Sequence, residues 1–199
     1  MEDRMMRLTI GKFGWGVIGA LLLMTPLSAS TSKEEVKAEN SPTYNWAYAD
    51  EASGLLQDIR ALSAQAAEGA ELLHSASRAN LLDWRSHALY LNDIKAQVNT
   101  MGTKLDRLQE IHGMLAPWQQ KAVERVTPKA VALAANTDEA IAHVSEYQGR
   151  LWMPHYTNRV SAMSDHGEEI NRTVSMFLDY GKTSDRLEML ESQIEYPGA

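Results

Sequence analysis

The chain has 199 residues, 44% of them hydrophobic and 23% charged, which is the composition of one ordinary globular domain with a real core. Its net charge of -7 and the lack of any Lys/Arg cluster exclude a nucleic-acid surface, because phosphate binding works by releasing counterions to a basic stripe. With no cysteine there is no disulfide, no thiolate metal site, no covalent c-type haem and no lipid-modified cysteine.

Arg4, Arg7 and Lys12 precede the 12-residue apolar run FGWGVIGALLLM, and the small residues of TPLSAS follow it. This order is that of a secretory signal peptide over residues 1–29, cleaved near Ala29. The run is shorter than the roughly 20 residues a bilayer-spanning helix needs, so an uncleaved anchor is the alternative. Such an anchor would make the rest a membrane-attached stalk or sensor domain, and it is the only route to a membrane that the sequence offers. Cleavage takes the net charge from -7 to -8, because two acids and three bases are lost. The expected location is extracytoplasmic, periplasmic or secreted, and the signal has a bacterial character.

Residues 30–43, STSKEEVKAENSPT, are polar and aperiodic, the composition of a disordered tether. From residue 44 to 195 the Ala-, Leu-, Glu-, Gln- and Met-rich sequence predicts four helices of about 35, 35, 34 and 40 residues. The expected breaks fall at 74–80, 112–118 and 147–154. Gly113 with Pro117 and Gly149 with Pro154 punctuate the last two, while Ser75, Ser77 and Asn80 are the only cap candidates at the first. Near-equal lengths and short connections predict an all-α, antiparallel up-down-up-down four-helix bundle. A long two-helix coiled-coil hairpin is the alternative if the first break is not a turn.

The stripe expected in the first helix is Leu55, Ile59, Leu62, Ala66, Gly69 and Leu73. That of the second runs Trp84, His87, Leu91, Ile94, Val98, Met101, Leu105, Leu108, His112 and Leu115, alternating three and four apart as a heptad seam. In the third, Val123, Val126, Ala130, Leu133, Thr137, Ile141 and Val144 form the stripe, with Pro128 predicted to kink the helix or restart it from a Thr127 cap. In the fourth, Met163, Ile170, Val174 and Phe177 share a face, whereas Leu187, Leu190 and Ile194 lie on a rotated one. A phase slip near Gly181 is expected between them.

Glu71 and His74 carry the Glu-x-x-His spacing of di-iron bundles, but helical phase turns Glu71 to water and no other helix supplies the remaining inward ligands. Glu139 and His143 are four apart, and His143 is out of phase with its stripe. Counting turns in an up-down-up-down bundle instead sets His87 near Met163 and His166, within an aromatic end that includes Trp84, Tyr147, Trp152 and Tyr156. Imidazole and thioether donors are the ligands of non-covalent haem b or of a transition metal. In architecture and ligand pair alone this arrangement is similar to cytochrome b562-like bundles, which implies a periplasmic haem or metal carrier as one alternative. Here the ligands would come from the second and fourth helices.

At the opposite end Tyr44, Trp46, His112 and Trp118 gather, and with Trp152 they are candidate interaction residues. No Ser-His-Asp order, phosphate loop or inward carboxylate pair is present. The primary expectation is an exported, non-enzymatic binding, adaptor or sensory module without a cofactor, working with a protein partner or by self-association.

Overall fold

The computed structural model describes residues 46–79 and 81–195, and the expected signal peptide and tether lie outside the described residues. Four long helices make up the described chain: α1 (Trp46–Ala79), α2 (Trp84–Glu110), α3 (Pro117–Glu146) and α4 (Pro154–Glu195). A short 3-10 turn, His112–Met114, links α2 to α3. No strand occurs among the described residues.

Ion pairs between the helices report their directions. Arg107 near the end of α2 meets Glu51 near the start of α1 at 2.7 Å, and Lys104 meets Asp58 at 2.7 Å. Lys95 of α2 pairs with Asp138 of α3 at 3.1 Å, while Arg159 and Glu169 of α4 pair with Glu139 and Lys129 of α3 at 2.7 and 2.8 Å. Every sequence neighbour is antiparallel. α1 also packs on α4, so α1/α3 and α2/α4 are the diagonals of a four-helix bundle. Exposed pairs of this kind contribute only about 0–1 kcal/mol each, so the buried seams hold the fold.

From His87 to Leu108 the α2 seam is as its sequence predicts, with His87, Leu91, Ile94, Val98, Met101, Leu105 and Leu108 all buried, while Trp84 is half-buried and His112 and Leu115 lie beyond the end of the helix. The seam of α1 is displaced from the expected one. It runs through Ala52, Leu56, Ile59, Ser63, Ala66, Ala70, Leu73 and Ser77, all buried, while Leu55 and Leu62 lie on its flank. Small residues fill five of these eight positions because α4 comes very close. A Cβ on Gly167 would stand 2.8 Å from the Ser63 carbonyl oxygen and 2.9 Å from the Ala67 Cβ.

The first break lies later than the sequence suggested. α1 continues through His74, Ser75 and Ser77, and Ser77 donates its hydroxyl proton to the Leu73 carbonyl at 2.6 Å, a bond made within the helix rather than a cap. The cap is Asp83, whose carboxylate accepts the Ser86 amide at 2.8 Å and starts α2. A turn therefore exists here, and the two-helix hairpin is excluded.

α3 starts on Pro117, where the missing N–H costs nothing. The Gln119 carboxamide oxygen accepts the Ala116 N–H at 3.1 Å, and its nitrogen donates to the Ala49 carbonyl at 2.8 Å and the Ser53 hydroxyl at 3.1 Å. One buried amide thus caps α3 and fastens it to α1. Pro128 does not end α3, and Thr127 is not a cap, since its hydroxyl donates back to Val123 at 2.8 Å. α4 likewise shows no break near Gly181. It is one helix, and its change of apolar face has another cause, described below.

Candidate functional site

Two regions carry chemistry beyond ordinary packing. The first lies at the end where α2 and α4 begin and α3 finishes. His87 enters the core one turn after the Asp83 cap and is fully buried, as is Tyr156 in the first turn of α4. The His87 Nδ1 and the Tyr156 phenol oxygen are 2.7 Å apart, with the rings edge-on at 5.5 Å. Nε2 of His87 is buried with no hydrogen-bond partner among the described residues.

Burial holds the His87 pKa below that of a free imidazole, against a weaker opposite pull from Asp83, so this ring is neutral at pH 7. Burial also raises the Tyr156 phenol, which stays protonated. His143 stacks between Tyr156 and His155, with centroid distances of 5.4 and 5.6 Å. Its Nε2–H donates to the Arg150 carbonyl at 3.2 Å, pinning the α3–α4 connection. The sequence reading placed His143 outside the stripe, whereas it is buried. It belongs to a second inward row with Ala122 and Asn136, and fourteen- and seven-residue spacings were the available signal.

The expected ligand set does not assemble. His87 stands opposite Tyr156, and along α4 Met163 and His166 lie about 10 and 15 Å further down the bundle axis. Axial ligands of one haem must face each other across a single iron, and Nδ1 of His87 is already engaged. Met163 is a fully buried core residue, and His166 is half-buried with Nδ1 unpartnered among the described residues. These residues do not fit a haem. Among the described residues, no three His, Cys, Asp or Glu side chains converge so as to hold a metal ion. The Glu71 carboxylate is exposed and 3.9 Å from the half-buried His74 imidazole.

The second region lies at the opposite end. Trp118 in the first turn of α3 lays its indole on the α4 backbone at Gly181, where a Cβ would fall 2.5 Å from the ring. Beside it opens a groove of about 670 Å³ lined by Trp118, Lys121, Phe177, Tyr180, Ser184 and Glu188. Of the other candidate interaction residues, His112 sits in the 3-10 turn with its Nε2 3.8 Å from Glu124. Trp152 is exposed at the other end of the bundle, so it shares no patch with Trp118. Trp46 opens α1, and Tyr44 lies outside the described residues.

Sequence reasoning missed the feature that joins this groove to the rest of α4. The inner face of α4 is Tyr156, Val160, Met163, Gly167, Ile170, Val174, Leu178 and Gly181, all buried. Met176, Tyr180, Thr183, Leu187, Leu190 and Ile194 form a second stripe, spaced four and three apart, and all six are exposed. At 100° per residue this stripe lies roughly 150° around the helix from the inner face. The helix thus carries two apolar faces, which a search for one stripe reads as a slip in phase.

No protein-family model, no curated protein and no solved structure matches this chain. What the fold defines is the class: an all-α four-helix bundle. No helix among the described residues is long and apolar enough to cross a membrane.

Proposed function

We propose that this chain is an exported, non-enzymatic interaction module whose working surface is the outer face of α4 together with the adjoining aromatic groove. One observation carries the reading: the exposed heptad stripe from Met176 to Ile194, with Leu187 55% and Ile194 77% exposed. Isolated exposed apolar residues need no explanation, but five in heptad register along 19 residues of one helix, with Thr183 at the sixth position, make a coiled-coil seam lacking its second strand. The partner chemistry that suits it is an amphipathic helix. The histidine–tyrosine cluster has a structural role in this reading, since the His87–Tyr156 bond ties α2 to α4 and the His143–Arg150 bond holds the α3–α4 connection.

Site-specific photo-crosslinking in the cell of origin tests the proposal. A photoreactive phenylalanine analogue replacing Leu187 or Tyr180 is expected to give a discrete protein adduct, and the same analogue at Glu71 none. Equal labelling at all three positions, or no adduct at either seam position, would remove the basis for an interaction module.

A further inference from the structure

Resting on that reading, we infer that the occupant of the α4 seam is a second copy of this chain, paired parallel and in register along Met176–Ile194. In heptad terms Tyr180, Leu187 and Ile194 take the a positions, and Met176, Thr183 and Leu190 the d positions. β-Branched Ile or Val at a with Leu at d is the pattern of two-stranded coils, and Ile194 at a with Leu190 at d conforms to it.

Charge decides the orientation. In a parallel pair a g residue faces the e residue five positions on in the other strand. Here g is Arg186 and the facing e residue is Glu191, so the pair forms twice, once on each side of the seam. Both residues are exposed, and neither forms an ion pair among the described residues. The antiparallel alternative that uses the whole stripe sets Met176 opposite Ile194 and Tyr180 opposite Leu190. That register brings Arg186 beside its own copy, a like-charge contact. Parallel pairing is the one in which the full seam and the flanking charges agree.

The stripe's position allows it. Because it lies on the far side of α4 from the bundle core, two bundles join back to back without disturbing any buried residue. Leu187, Leu190 and Ile194 follow the last buried residue of α4, Gly181, so the seam continues along a part of the helix that buries nothing within its own chain.

The test is light scattering on the full chain as exported, over a range of concentrations, with two sets of variants. The chain as it stands is expected to have twice its own mass, and Leu187→Glu its single mass with unchanged helical circular dichroism. Arg186→Glu and Glu191→Arg are each expected to weaken self-association by about tenfold at low salt, through like-charge contacts on both sides of the seam. Mixing these two variants should restore it, since each then faces its complement. The chain contains no cysteine, so Thr183→Cys gives one unambiguous reporter. In the parallel pair it should form a disulfide with its own copy under mild oxidant, whereas the antiparallel register sets position 183 opposite 187.

A dimer that fails to crosslink through position 183 overturns the parallel register. A monomer at every concentration overturns the second copy, and hydrogen exchange on that monomer separates the two failures. Rapid exchange over 183–194 leaves the interaction-module reading standing with a different helix as partner, whereas slow exchange means that the chain covers its own seam and both readings fall.

Discussion

The phenol oxygen of Tyr156 lies 2.7 Å from Nδ1 of His87, across the α2/α4 diagonal and with both side chains fully removed from water. Sixty-nine residues separate them in sequence. The bond fixes the start of α4 against the start of α2. Its partners answer differently to mutation.

Tyr156→Phe removes the phenol and leaves both imidazole nitrogens of His87 buried without a partner. A cost of about 1–3 kcal/mol is expected, the desolvation penalty of the orphaned group. His87→Leu removes the orphan with the bond, so the double variant should be more stable than Tyr156→Phe alone. Urea unfolding of the three variants checks this, and additive losses in the double variant would show that the two groups act independently.

The same histidine predicts an acid-sensitive stability. Its folded pKa is depressed, chiefly by burial, from the ordinary 6.5. As pH falls below 6.5 the unfolded chain takes up a proton that the folded chain refuses, so stability is lost until the folded pKa is passed. Above 6.5 this contribution is complete. Asp83 and Glu169 are also depressed, by the bond from Ser86 and the ion pair with Lys129 respectively, but their losses begin nearer the ordinary carboxylate values of 3.8 and 4.5. Midpoints of urea unfolding between pH 7 and 5 should fall for the natural chain and stay flatter for His87→Leu.

Gly167 sets how closely α1 and α4 approach. Its missing Cβ would meet backbone at Ser63 as well as the Ala67 methyl, and neither neighbour can swing aside. Gly167→Leu should therefore force the helices apart and cost about 1–3 kcal/mol or more by overpacking. At Gly181 the nearest atoms belong to the Trp118 ring, which is a side chain and can move. Gly181→Ala should shift tryptophan emission with a smaller loss of stability, and thermal melts with fluorescence compare the two.

Pro128 lies exposed inside α3 and gives no hydrogen bond to the carbonyl four residues before it. Proline costs about 3 kcal/mol relative to alanine in a helix interior. Pro128→Ala should raise the unfolding midpoint by a gain on the order of 1–3 kcal/mol. An unchanged or lower midpoint would mean that the local shape of α3 imposed by proline is needed for its packing on α4.

The legible parts of this molecule are those where a large apolar residue marks every inward position. α2 is the clear case, because Leu, Ile, Val and Met repeat along one seam and no other reading fits. The sequence pattern of α1 points one residue off at Leu55 and Leu62, since the seam there passes through Ala52, Ser63 and Ala70, which no hydrophobicity pattern singles out. His143 was missed for a related reason: a histidine is equally at home in water or against a ring, and only the arrival of Tyr156 and His155 beside it decides.

Local chemistry by itself determined the helical class, the Gly113–Pro117 and Gly149–Pro154 breaks and the outward turn of Glu71, because propensity, punctuation and phase are properties of neighbours in sequence. Tertiary structure alone decided which end of α4 meets which end of α2, and so gave His87 a tyrosine two turns before Met163 in place of the expected ligands. It also decided that α4 carries two faces. Burying one of them against three helices leaves the other, from Met176 to Ile194, in water, and a one-dimensional pattern cannot say which stripe the bundle will take.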